Sequence, residues 1–275
     1  MPAAPAPRRF AILDMYAGAP NQGLRCLEDM LRGGGPGAAG GGEVTVFATR
    51  GRGEVPGLDF DAYFATGGPG SPFEGEGTAW EAAYFEFLDR LLDANRRPGG
   101  APRHLLAICY SFELLCRHFR LAEVTRRRSP SFGVMPVHLT PAGRTDPLFA
   151  GLPDPFYAVD NRDWQVVQPS SRALDALGGR VLALEKVRPH VALERAVTAM
   201  RLSPEVVGVQ FHPEAEPESL LAYFRRPELR RDIVLHHGEA KYADVLAKVA
   251  DPGLLARTYR TVIPNFLRAA LAGRG

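Results

Sequence analysis

The stretch His104–Arg117, His-Leu-Leu-Ala-Ile-Cys-Tyr-Ser-Phe-Glu-Leu-Leu-Cys-Arg, constrains the fold of this chain more than any other. Its first half is an apolar run that a sheet can bury on both faces, and helical spacing follows at Phe112, Leu115 and Phe119. The join falls at Cys109. A strand that reverses directly into a helix strains the residue at the turn and demands small neighbours two positions away on each side. Ala107 and Ser111 are small. The pattern is that of a nucleophile elbow carrying a thiol, aimed at the N-terminus of the next helix, where a thiol pKa is lowered. A buried cysteine in an ordinary strand–helix unit fits the same residues, so the rest of the chain must decide.

A length of 275 residues allows a substantial core, as one large α/β domain or a smaller one with an extension. The formal charge of +2 is spread thinly and implies neither a nucleic-acid nor a membrane partner. The one basic run, Arg126–Arg128, reads as a solvated loop. No segment has the unbroken apolar length of a membrane span, and Met1–Phe10 has no signal-peptide core, so a cytoplasmic location is expected. The three cysteines, Cys26, Cys109 and Cys116, are too scattered for a disulfide framework or a zinc site, and no metal or cofactor is expected.

Taken in order, Phe10–Met15 reads as a first strand and Asn21–Arg32 as a helix with Leu24, Leu27 and Leu31 on one face. The Gly/Ala/Pro tract from Gly33 to Gly42 reads as a flexible connector. Strands follow at Glu43–Thr49 and Asp61–Thr66, the latter running into the turn Gly67-Gly68-Pro69-Gly70-Ser71-Pro72. Thr78 caps a helix whose buried stripe is Trp80, Tyr84, Phe87, Leu88, Leu91 and Leu92. After the Cys109 unit come β-prone pieces at Phe132–Leu139, Phe156–Asp160, Trp164–Val167 and Val181–Lys186, then a hairpin of Ala196–Leu202 and Val206–Phe211. From Pro217 onward the pattern is helical. Alternation of strands and helices in the first half argues for a largely parallel sheet covered on both faces, with residues 1–215 as the α/β domain and 216–275 as a helical C-terminal extension.

The partner for Cys109 lies in Gly208-Val209-Gln210-Phe211-His212-Pro213-Glu214. Pro213 keeps the chain extended, so His212 and Glu214, two apart, share one side of it. A thiol nucleophile needs an imidazole to take its proton, and the imidazole needs a carboxylate to fix its tautomer. The glycine turn supplies the third part: uncovered backbone amides, that of Gly68 with that of Tyr110 as companion, can meet the negative oxygen of a tetrahedral intermediate. Cys116 reads as packing, Trp164 as core, and the adjacent His236 and His237 as a poor metal pair. Asp14, Asn21 and Gln22 fall at the expected active edge of the sheet, as pocket lining or as helix caps.

Together these residues resemble the class I glutamine amidotransferases, in which a Gly-Gly-Pro-Gly turn, a Gly-x-Cys-x-Gly-x-Gln elbow and a late His-Pro-Glu occur in this order. The resemblance runs from about Phe10 to Glu214. Ser131-Phe132-Gly133 and Val159-Asp160-Asn161-Arg162-Asp163 are similar to stretches of the glutaminase part of GMP synthase, the second lying where that family has Ser-His-Gly-Asp. The resemblance implies a flavodoxin-like sheet with Cys109 as nucleophile, His212 as general base and acid, and Glu214 as its orienter. The chain departs from the family at Ser111, Phe112 and Glu113, in place of Gly, His and Gln, and at Asp160 and Asn161, in place of Ser and His. A carboxylate at Glu113 can hold a substrate ammonium and Arg162 can pair with a carboxylate, so a small amino-acid-like amide remains the expected substrate. Glu113 equally reads as a helix-surface residue.

Three functions compete on these residues. A thiol amidohydrolase would open a glutamine or γ-glutamyl amide through a Cys109 acyl-enzyme and pass ammonia to a separate synthetase. An acyltransferase of the homoserine acyltransferase type shares the fold and triad, but the glycine turn weighs against it. A silent regulatory homologue is disfavoured by the intact Cys, His and Glu. The helical tail could cover the active edge, pack on the domain or build a homodimer.

Overall fold

The computed structural model describes residues 7–19, 21–34, 41–189 and 192–272. The middle of the glycine tract, 35–40, for which a flexible connector is expected, lies outside the described residues. The chain opens with β1 (Arg9–Leu13), α1 (Gln22–Leu31), β2 (Glu43–Phe47), the single turn α2 (Thr49–Arg52), β3 (Ala62–Ala65), α3 (Ala79–Arg96), β4 (His104–Ile108) and α4 (Tyr110–His118). Next come β5 (Glu123–Leu139), α5 (Pro141–Arg144), a 3-10 turn at Pro147–Phe149, β6 (Phe156–Val167), α6 (Ser171–Leu177), β7 (Arg180–Glu185), β8 (Val197–Arg201) and β9 (Val206–Val209). Four helices close it: α7 (Pro217–Phe224), α8 (Pro227–His237), α9 (Glu239–Ala250) and α10 (Leu255–Leu271).

Among the described residues nine strands form one sheet in the order β2-β1-β3-β4-β9-β8-β6-β5-β7. The expectation of a mostly parallel sheet needs correction. The run β2-β1-β3-β4-β9 is parallel, but β8, β6, β5 and β7 join it through antiparallel pairings. The cause is local: the Ser203–Glu205 turn is too short to carry a crossover, so β9 must return antiparallel beside β8, with Met200 opposite Gly208. Two further strand expectations change. Phe156–Asp160 and Trp164–Val167 belong to one strand, β6. The Arg126–Arg128 run, read as a loop, lies within β5, where the ladder slips between Arg126 and Ser131 and the Arg127 guanidinium turns inward to Glu185 at 3.1 Å.

Strand periodicity sorts the core into two layers. Phe10, Ile12, Phe64, Leu106 and Ile108 pack on one face with Leu27, Met30 and Leu31 of α1 and with Tyr259, Val262, Ile263 and Phe266 of α10. Ala11, Leu13, Tyr63, Ala65 and Leu105 pack on the other with Tyr84, Phe87, Leu88 and Leu91 of α3 and Phe112 and Leu115 of α4. Thus α10, in the C-terminal helical segment, is a wall of the main core. Asn265 fixes it by donating to the carbonyls of Leu148 (3.1 Å) and Ala150 (3.0 Å). A third, smaller cluster joins Val134 of β5 to Phe224, Ile233, Tyr242 and Val245 of α7, α8 and α9. Among the described residues no helix is long and apolar enough to cross a membrane.

The helix caps follow the sequence. Asn21 accepts from the amide of Leu24 at 3.1 Å and Thr78 from that of Glu81 at 3.4 Å. The anticipated stripe of α3 is buried except at Trp80, which is half-buried against the same layer.

Candidate active site

Parallel β3, β4 and β9 end side by side, and their carboxyl ends deliver the site. The Cys109 amide donates to Val209 at 2.7 Å, and the residue then turns with φ 50° and ψ −105°, a conformation disfavoured for any residue with a Cβ. Ser111, fully buried, donates through Oγ to the carbonyl of Thr66 at 2.5 Å, tying the first turn of α4 to the end of β3. The glycine turn begins there. A side chain at Gly67 would place its Cβ 2.9 Å from Cε1 of His212 and 3.5 Å from Cβ of Cys109, so the close approach of turn, thiol and imidazole requires glycine at that position.

Gly208 is required for a different reason. A Cβ there would stand 2.2 Å from the ring of Phe112, so α4 can pack on β9 only over a bare backbone.

His212 leaves β9 in an isolated bridge to Val159 of β6, with its amide 2.9 Å from the Val159 carbonyl. Its Nδ1 lies 2.7 Å from Oε1 of Glu214, whose carboxylate is buried. That contact leaves Nε2 for the thiol, and His212 and Cys109 line the same cavity on either side of Gly67. Burial opposes protonation of the imidazole, but the carboxylate of Glu214 and the sulfur of Cys109 outweigh it and hold the His212 pKa well above the ordinary value. For Cys109 the expectation of a lowered pKa needs correction. Burial pushes the thiol up, His212 pulls it down, and burial wins. The proton acceptor, rather than the helix N-terminus, is what this thiol depends on.

Cys109, His212, Gly68, Glu113, Asn161 and Arg162 line a single cavity of about 310 Å³, together with Tyr16, Asn21 and Trp164. Glu214 stands behind the imidazole and Asp160 behind Arg162. Tyr110 turns its ring away, under the guanidinium of Arg50 at 4.7 Å, while its amide belongs to the first turn of α4, whose N–H groups have no intrahelical acceptor.

Two substrate-contact expectations change here. Arg162 reaches the cavity wall, yet its side chain is only 2% exposed and its charge is already matched by Asp160 at 2.9 Å and Glu185 at 3.5 Å. Asp160 is engaged by Arg162 and by Ser131 Oγ at 2.8 Å. Both are therefore committed to protein partners. Glu113 is not a helix-surface residue: it is buried, and burial pushes its pKa up to about 7 against the opposing pull of a hydrogen bond from Gln210 Nε2 at 3.0 Å. Trp164, read as core, is half-buried at the cavity edge, tilted against Phe73 at 5.2 Å.

Three site residues escape the sequence reading. Gln210 Nε2 stands 3.8 Å from the Cys109 sulfur, and its spacing two before His212 on an extended chain was the available signal. Tyr16 follows β1 and presents its hydroxyl beside Gly67. Burial, Glu214 and Cys109 raise its pKa. Arg50 clamps the glycine turn, donating to the carbonyls of Met15 (3.1 Å) and Pro69 (2.7 Å) and pairing with Glu74. Nothing local in the sequence marks it. Among the described residues no group of three or more His, Cys, Asp and Glu side chains could hold a metal ion.

Comparison with known proteins bears on the family and the fold. The family model described as glutamine amidotransferase class-I matches residues 41–225, more than half of the chain. No curated protein matches the sequence. Among solved structures, a glutamine amidotransferase from Thermotoga maritima aligns at TM-score 0.69 with 14% identity, covering 97% of this chain and 99% of the other. A putative GMP synthase subunit from Thermoplasma acidophilum aligns at 0.59 with 15% identity over 98% and 96%. The glutaminase domain of Trypanosoma brucei CTPS with bound acivicin aligns at 0.54 with 14% identity over 96% and 93%. Those identities speak for the fold alone; the family model speaks for the sequence, and by it the chain belongs to the class I glutamine amidotransferase family.

Proposed function

We propose that the protein is a thiol-dependent amidohydrolase that opens the side-chain amide of glutamine or of a γ-glutamyl compound through an acyl-enzyme on Cys109. The observation that carries this reading is Cys109 and His212 lining one cavity walled by the glycine turn, with the imidazole held from behind by Glu214 at 2.7 Å. His212 takes the thiol proton, the sulfur attacks the amide carbon, and the amides of Gly68 and Tyr110 receive the developing oxyanion. The same imidazole delivers its proton to the departing nitrogen and then activates the water that releases the acid. Glu214 holds the ring and stabilises its protonated form.

In this reading Glu113 and Asn161 orient the amino-acid end of the substrate, with Glu113 accepting its ammonium. The chemistry belongs to residues 1–215, α7 and α8 of the C-terminal helical segment border the site while α10 supports the core, and released ammonia passes to a separate synthetase. Purified protein should release ammonia or an amine from glutamine or a γ-glutamyl amide, and Cys109→Ala should abolish the release. Equal activity in that variant refutes the proposal.

A further inference from the structure

Beside the cavity that holds the thiol lies a larger one, of about 640 Å³. The two share Tyr16, Asn21, Asn161 and His212 on their walls, so the imidazole stands on the boundary between them. Cys109, Glu113 and the glycine turn lie only on the thiol side. The larger space is bordered by α7 and the start of α8, and its far wall is apolar: Phe132 of β5 meets Phe224 edge-on at 6.0 Å, with Leu220 and Tyr223 beside them.

This division orients a substrate. The acyl carbon must sit at the sulfur and the leaving nitrogen beside Nε2 of His212, so that the substituent on that nitrogen runs past the imidazole toward the larger cavity. The leaving group of glutamine is a single nitrogen, which needs no chamber with aromatic walls. The charged side chains lining this cavity are more acidic than basic, with Asp160, Glu214, Glu216 and Glu228 against Arg25 and Arg226, which suits a departing amine. Arg25 is paired with Asp29, Arg226 lies over the Tyr223 ring, and Glu216 caps α7. Discrimination among amines falls to the apolar surface.

The geometry points to a binding site for the amine portion of an extended substrate: the larger cavity takes the hydrophobic leaving group of a γ-glutamyl amide of an arylalkyl amine. This rests on the hydrolase reading above and adds the substrate class. The atoms balance with water alone. Cys109 Sγ bonds to the side-chain amide carbonyl carbon, the carbon–nitrogen bond breaks, and the proton taken from the thiol goes through His212 to the amine. Water then cleaves the thioester to glutamate and restores the thiol.

The test separates binding from turnover. Glutamine and its N-methyl, N-propyl and N-phenethyl amides are titrated calorimetrically into Cys109→Ala, which cannot turn them over. Affinity should rise with the amine, by at least about tenfold from glutamine to the phenethylamide, as burial of an aromatic ring predicts. Adding Leu220→Trp, which fills the cavity, should remove that gain. Tyr223→Ala should reduce it, and serves should the tryptophan variant fail to fold by circular dichroism. Equal affinity along the series, no binding of any member, or a gain untouched by both variants overturns the inference. Size-dependent binding without Cys109-dependent turnover by the unmodified protein refutes the hydrolase reading and leaves the cavity assignment standing. Turnover of glutamine with no preference for the larger amides refutes the cavity assignment alone.

Discussion

Replacing Glu113 with Gln should change the pH dependence of stability in a direction fixed by burial. Burial raises this carboxyl from its ordinary 4.5 to about 7, so the folded protein holds a proton that the unfolded chain has released. A carboxyl raised in this way favours the fold fully below 4.5, and that contribution is lost as pH climbs to about 7. At about 1.4 kcal/mol per pH unit, the charged form costs the folded state about 3 kcal/mol above pH 7. The amide of Glu113→Gln keeps the shape and can still accept from Gln210, but never ionises. Urea unfolding of both proteins from pH 4.5 to 8.5 should therefore show their stability difference moving by about 3 kcal/mol in favour of the variant, almost all of it below pH 7.5. Titrations common to both proteins cancel in the difference. A difference that stays flat with pH, or that moves against the variant, refutes the claim that this carboxylate is desolvated beside the thiol.

Three other perturbations follow from the packing. Asp146, fully buried, receives Arg201 through two contacts of 2.6 and 2.7 Å, so Arg201→Met should lower unfolding free energy by about 3–5 kcal/mol in urea titration, and loss under about 1 kcal/mol would contradict the pairing. Gly208→Ala drives a methyl into Phe112 and should cost about 1–3 kcal/mol, with Phe112→Leu in the same chain recovering part of it; a neutral Gly208→Ala would mean that α4 does not lie where described. Arg50→Ala frees the Gly68–Gly70 turn and should lower kcat by about tenfold or more while leaving KM within a few-fold, since the turn serves the oxyanion; an effect on KM alone would remove Arg50 from that role.

The elbow was legible because it is written in adjacent residues: an apolar run, a small-x-Cys-x-small turn, then helical spacing. His212 and Glu214 were legible for a similar reason, being two apart on an extended chain beside a proline. What the sequence hid depends on distance across the fold. Whether Arg162 meets a substrate or a protein carboxylate is decided by Glu185 on β7 and by the inward turn of Arg127, neither of which its neighbours announce. The antiparallel half of the sheet was hidden because β5 and β6 are interrupted by polar residues, Arg126 to Ser129 and Asp160 to Asp163, that a periodicity reading breaks into pieces. The wall contributed by α10 was hidden because its apolar stripe shows that it is amphipathic, and not which surface it covers.

The central claim is that Cys109 carries the acyl group, and the direct measurement is a rapid acid quench of turnover on a γ-glutamyl amide followed by peptide mass mapping of all three cysteines. A glutamyl thioester confined to the peptide bearing Cys109, and accumulating when Glu214→Gln slows deacylation, is the predicted result. Steady release of amine with no adduct on Cys109, or with the adduct on Cys26 or Cys116, contradicts the account.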